Sequence, residues 1–170
     1  MSTSRYVAVF VGSLRKEAFS RKIANALIAE APATLKLAIH EIGQLPLYNA
    51  DYEADPPAVV IEFKQRLAAA DAVLFVTPEY NRGVPGALKN AIDVGSRPYG
   101  KSAWEGKPGA IVSISPGAIG DGPPKLAALC TPNGSMAGVG PGGAGGADLA
   151  GSCQTMELRA SDTYKFPCVS

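Results

Sequence analysis

Asp71-Ala72-Val73-Leu74-Phe75-Val76-Thr77 is a near-continuous apolar run closed by Pro78. A strand with one wet face would alternate polar and apolar residues. A run this uniform belongs to a strand buried on both faces, as in a parallel sheet covered by helices. Tyr6-Val7-Ala8-Val9-Phe10-Val11 has the same character, and Ala110-Ile111-Val112-Ser113-Ile114-Ser115 reads as a further strand. Residues 35–42 alternate instead, with Leu35, Leu37 and Ile39 on one face and Lys36 and His40 on the other, so His40 is expected as an exposed strand-end residue.

Between the strands the period becomes helical. Phe19, Ile23 and Leu27 recur at helical spacing among Ala24, Ala26 and Ala29 until Pro32, which predicts a first helix over 19–31. Pro56 and Pro57 open a second, with Val59, Val60, Phe63 and Leu67 on one side, ending near Ala70. A short helical stretch covers 87–93. Strands alternating with helices imply an α/β fold with a parallel, right-handed, doubly wound sheet.

Beyond Gly120 this pattern fades. Residues 121–170 contain no isoleucine and only two aromatics, Tyr164 and Phe166, and eight of the nineteen residues from Asn133 to Gly151 are glycine. Such a stretch loses much backbone entropy on ordering and offers few side chains to bury. The expected organisation is a domain over 1–120 followed by an atypical, poorly packed glycine-rich segment over 121–170, with short helices at Lys125–Cys130 and Gln154–Ala160.

Lys and Arg number 16 against 15 for Asp and Glu, and a net charge of +1 supplies no field for nucleic acid or an anionic membrane. A small-molecule partner is the expectation. Cys130, Cys153 and Cys168 lie far apart with a single histidine in the chain, a pattern of neither a zinc site nor a disulfide framework. With no secretory leader pattern and no apolar stretch near the ~20 residues of a membrane span, a cytoplasmic location is expected. Trp104, in an otherwise polar loop, is expected as a local hydrophobic plug.

Ligands of doubly wound sheets bind beyond the carboxyl ends of the strands. Three segments follow strands there. In Gly12–Ser20, a glycine-and-hydroxyl turn leads into a helix N-terminus, where Ser13, Ser20 and the charged donor Arg15 suit a monophosphate. The turn carries neither GxxxxGK[ST] nor GxGxxG. Pro78-Glu79-Tyr80-Asn81 and Ser115-Pro116-Gly117-Ala118-Ile119-Gly120 supply backbone amides and a close-approach glycine surface for a flat ring. Together the three describe a flavin mononucleotide site.

The stretches GSLRKEAFSRKIANAL, IGQLPLYNADYEADPP, VLFVTPEYNRGVPGALKNAIDVGSRP and GKPGAIVSISPGAIG, all within residues 5–120, resemble the NADPH-dependent FMN reductase family, in its quinone- and chromate-reducing branch. The resemblance implies a flavodoxin-like sheet of order 2-1-3-4, with a fifth strand in doubt because the chain leaves the family pattern after Gly120. It implies FMN and NADPH or NADH as cofactors, and hydride transfer through the flavin to a quinone, azo compound or chromate-like acceptor. It makes Ser13, Arg15 and Ser20 phosphate contacts. Pro78, Glu79, Tyr80 and Asn81 become the ribityl and isoalloxazine loop, with Tyr80 and Asn81 at the ring edge, and Ser115 and Gly117 close the far side. No catalytic side chain or metal is required. Ala18-Phe19-Ser20 stands where relatives often have Ser-x-Asn, a loss of about 0.5–1.5 kcal/mol per missing hydrogen bond. Family members commonly form homodimers or homotetramers through residues around 80–100. An FMN electron carrier, or a flavin-free binding domain caused by the altered C-terminus, remains the alternative.

Overall fold

The computed structural model describes residues 4–115 and the backbone of 155–159. The elements are β1 (Arg5–Val11), α1 (Phe19–Ala29), β2 (Leu35–Ile39), a 3-10 turn (Ala50–Tyr52), α2 (Ala58–Ala68), β3 (Ala72–Pro78), α3 (Gly86–Gly95), β4 (Gly109–Ser115) and β5 (Thr155–Arg159). All strands are parallel, in the order β2-β1-β3-β4-β5. In register, Val9 of β1 lies between Ile39 and Leu74, while Val76 of β3 faces Val112 of β4.

Right-handed crossovers dictate the layers. The β1-to-β2 connection runs one way across the sheet, whereas β2-to-β3 and β3-to-β4 run the other, so α1 covers one face and α2 with α3 the opposite face. Ile23 and Ala24 of α1 pack on Val7, Val9, Val11, Leu74, Val76, Val112 and Ile114. Val60, Phe63 and Leu67 of α2 and Leu88, Ala91 and Ile92 of α3 close over Ala8, Phe10, Val73, Phe75 and Ile111. The uniform apolar runs are thus explained by a sheet with no wet face.

Trp104 is the plug of the second layer. Its indole is buried, its Nε1–H donates to the Ile92 carbonyl at 3.0 Å, and its ring meets Phe10, Phe75 and Phe63 at centroid distances of 5.2, 5.7 and 6.1 Å. Gly95 makes room for it, since a Cβ there would lie 2.4 Å from Nε1. The polar loop around Trp104 is the lid of the core.

Three expectations are corrected. Phe19 does not join the inward stripe of α1 and is half exposed, while Ser20 turns inward instead. The backbone there turns Ala18 and Ser20 inward in place of Phe19. His40 is buried rather than exposed, because its ring sits against Tyr6 and Phe10 beside Phe63 and Arg66 of α2. Its backbone N–H extends the ladder to the Val9 carbonyl at 2.8 Å, its Nε2 shares a 2.6 Å hydrogen bond with the Tyr6 hydroxyl, and its ring lies 5.5 Å from that of Phe10.

The third correction concerns the far end of the chain. Thr155–Arg159 is a strand and not the helix expected over Gln154–Ala160, and it supplies the fifth strand that was in doubt, with Ile111 opposite Thr155 and Ser115 opposite Arg159. The edge of β4 offers a row of unpaired backbone donors and acceptors, which any extended segment can satisfy. The expected helix at Lys125–Cys130 and the glycine-rich stretch Asn133–Gly151 lie outside the described residues. Among the described residues, no helix is long and apolar enough to cross a membrane.

Two outcomes follow. Replacing Trp104 by alanine opens a cavity among three aromatic rings and removes the indole hydrogen bond to the Ile92 carbonyl, which keeps the Ser96 N–H, so denaturant unfolding is expected to show a loss of about 3–5 kcal/mol. Burial, with a smaller contribution from the Arg66 charge, holds the His40 imidazole below its ordinary 6.5. The unfolded chain therefore binds the proton more readily, and this contribution to stability is complete above pH 6.5 and is lost as pH falls below it. Between pH 7.5 and 5.5 the wild-type chain should lose more stability than His40→Gln, as read by denaturant midpoints.

Candidate functional site

The turn after β1 begins in contact with the end of β3. Gly12 N–H donates to the Val76 carbonyl at 2.9 Å, carrying the ladder one residue past the strand. A Cβ on Gly12 would lie 2.1 Å from Thr77 Oγ1, so only glycine can pass here. Thr77 is fully buried and donates to the Pro78 carbonyl at 2.9 Å. Sequence reasoning missed its part in shaping the turn; the only hint was a hydroxyl at the end of an otherwise apolar run.

From Gly12 the chain folds over itself. The Ser13 hydroxyl is buried, and its Oγ accepts the Arg15 N–H at 3.4 Å. Arg15 is exposed, its Nη2 donating to the Glu17 carbonyl at 3.2 Å, and its own carbonyl receives the Ala18 N–H at 3.1 Å. The loop closes onto Ala18, the N-cap of α1.

That helix start is bare. Ala18 makes no side-chain cap hydrogen bond, and the first turn of α1 contains no acidic residue. The leading N–H groups of a helix have no partner within it and carry its positive dipole end, so an anion there gains about 0.3–1 kcal/mol at an exposed site and up to about 2 kcal/mol in a partly buried one. Ser20, in the first turn of this helix, is only 2% exposed, and its Oγ has no hydrogen-bond partner. An unsatisfied buried hydroxyl costs about 1–3 kcal/mol, which a ligand oxygen would relieve. Outside the turn, Arg21 makes a two-pronged pair with Glu41 at 2.8 and 2.9 Å, which raises the arginine and lowers the carboxylate from their ordinary values, chiefly through those hydrogen bonds.

The loop after β3 is a tight hairpin. Tyr80 and Gly83 exchange two backbone hydrogen bonds of 3.0 Å, and the residues between them, Asn81 and Arg82, have φ of 52° and 58°. Both positive values match the two-residue turn that asparagine favours, while Arg82 bears about 1–2 kcal/mol of left-handed strain. Pro78 and Glu79 are half-buried, and Tyr80 and Asn81 are exposed. The Tyr80 hydroxyl leaves the hairpin and donates to Ser13 Oγ at 3.1 Å, bridging two segments 67 residues apart.

The structure therefore brings Ser13, Arg15 and Ser20 onto one turn and joins Tyr80 to it. Ser115 ends β4, two strands from β1, and only its backbone is described; Gly117 lies outside the described residues. A separate cleft of about 90 Å³ opens between the 46–53 loop, α2 and the end of α3. It is lined by Leu47, Tyr48, Tyr52, Lys64 and Arg97 and by none of the predicted site residues, so its size marks a different place from the polar turn. Asn90 anchors that loop, accepting from Tyr48 N–H at 2.8 Å and donating to the Pro46 carbonyl at 2.9 Å.

Residues 6–125 match the family described as NADPH-dependent FMN reductase. A quinone reductase of Pseudomonas putida is 65% identical over 121 residues, 71% of this chain and 65% of that protein. A 2-hydroxy-1,4-benzoquinone reductase of a Burkholderia species is 54% identical over 114 residues, 67% of this chain and 62% of that one. The chain thus matches less than two thirds of the length of these relatives. Among solved structures, the flavoenzyme NAD(P)H:(acceptor) oxidoreductase FerB of Paracoccus denitrificans superposes with a TM-score of 0.65 at 49% identity, over 68% of this chain and 64% of that one.

The orphaned hydroxyl separates stability from binding. Ser20→Ala should leave the ligand-free chain as stable as the wild type or more so, while weakening its affinity for a phosphate-bearing ligand. Paired melting curves with and without such a ligand check both halves of this expectation.

Proposed function

The chain belongs to the NADPH-dependent FMN reductase family, and from that we propose that it binds FMN at the carboxyl edge of its sheet and carries reducing equivalents from NAD(P)H to a quinone. The observation that carries this reading is the buried, unpartnered Ser20 hydroxyl at the uncapped start of α1. An acceptor-only group of small size and negative charge fits that place, and the phosphate of FMN is such a group. Ser13, Ser20, Arg15 and the first amides of α1 would hold it.

FMN, when bound, supplies the two-electron relay between the nicotinamide donor and the quinone. The chain's own residues bind and orient. The loop that leaves β3 presents Pro78, Glu79, Tyr80 and Asn81 as the wall for a flat ring, and the family resemblance assigns Ser115 and Gly117 to its far side. Because the hairpin is closed by two backbone hydrogen bonds, its backbone is held in a fixed arrangement, with little left to order on binding. Use of NAD(P)H fits a cytoplasmic setting, and assembly into a homodimer or homotetramer belongs to the same proposal.

The test uses the whole chain. With FMN at 100 times its dissociation constant, stability should rise by about 2.7 kcal/mol, seen as an upward shift of the melting curve. NADPH oxidation should then depend on both FMN and an added benzoquinone. A shift without turnover would make the chain a carrier, and the absence of both would make it a flavin-free domain.

A further inference from the structure

We propose that the Tyr80 hydroxyl belongs to the phosphate end of the site, where it aims the Ser13 proton at the ligand and so makes the chain discriminate FMN from riboflavin. The proposal rests on the FMN reading above and deepens it. It moves Tyr80 from the ring edge, where its place in the hairpin alone would put it, to the recognition of charge.

A serine hydroxyl has one proton and two acceptor lone pairs. Ser13 Oγ accepts from the Tyr80 hydroxyl at 3.1 Å and from the Arg15 N–H at 3.4 Å, which uses both lone pairs. What remains is the proton, on a side chain 96% removed from water. Ser13 is thereby reduced to a donor, and its natural complement is an acceptor-only group. Ser20, equally buried and without a partner, adds a second hydroxyl at the same uncapped helix start. In a chain of donors, Tyr80 O–H to Ser13 O–H to ligand oxygen, each bond polarises the next, so the last is stronger than an isolated serine would make.

Tyr80 also has the right build for this. Half of its surface is exposed, so its ring is not part of the core, and the hydroxyl at its tip is the atom that reaches across 67 residues of sequence. Removing that oxygen leaves Ser13 free to turn its proton elsewhere. It leaves the ring in place, and with it any stacking on the flavin.

The test compares two ligands that differ only in the phosphate. FMN and riboflavin are titrated into the whole chain by flavin fluorescence, using wild type, Tyr80→Phe, Ser13→Ala and the double variant. Tyr80→Phe should weaken FMN about threefold to tenfold and change riboflavin by less than twofold. In the Ser13→Ala background the same change should have little further effect on FMN, since the two hydroxyls act as one unit. Equal losses for both ligands would place Tyr80 at the ring, and no loss for either would leave its hydroxyl without a role; each result overturns the inference while the FMN reading stands. A wild-type chain that binds neither flavin overturns both.

Discussion

The parallel pairing of β1 with β3 is the constraint on which the rest depends. It places two largely buried strands side by side at the centre of the sheet and continues one residue beyond β1, through the Gly12 N–H to the Val76 carbonyl. That extra bond brings the glycine backbone against Thr77, at a separation no Cβ could tolerate. The turn after β1 and the hairpin after β3 therefore leave the sheet from adjacent points. The Tyr80–Ser13 hydrogen bond is the consequence, since it could not form if the strands were separated or out of register.

The two helical layers serve this arrangement in different ways. The aromatic cluster of Phe10, Phe63, Phe75 and Trp104 fills the thicker layer under α2 and α3, where rings meet edge to face and the one indole N–H finds a carbonyl. On the other face small side chains suffice, and Ile23 and Ala24 let α1 lie close to β1 and β3. At the start of that helix Ser20 sits buried and unpaired, a local cost sustained by packing elsewhere.

Much of the fold could be read from the chain. The apolar runs at 6–11 and 71–77 became buried strands because they lacked alternation, and the strand near 110–115 followed their phase. Where the reading failed, the cause was a neighbour that local periodicity cannot see. His40 alternates as a surface residue, yet its ring sits against Tyr6 and Phe10 beside α2. Phe19 has the spacing of a core residue, yet Ala18 and Ser20 on either side of it turn inward instead. Thr155–Arg159 has little to mark it as a strand, and the open edge of β4 makes it one.

The site divides along the same line. Ser13, Arg15 and Ser20 could be chosen from sequence because a hydroxyl-bearing turn between a strand and a helix has one geometry, set by local backbone chemistry. Which of their atoms are free could not, because that depends on burial and on partners far along the chain. By itself the sequence determined the parallel sheet and its first three helices, and it marked out the turn between β1 and α1, since each follows from periodicity or from short-range turn chemistry. Only the tertiary structure decided that Tyr80 completes the turn, that Ser20 is left without a partner and that His40 is dry, because these are properties of segments brought together by the packing of the whole sheet.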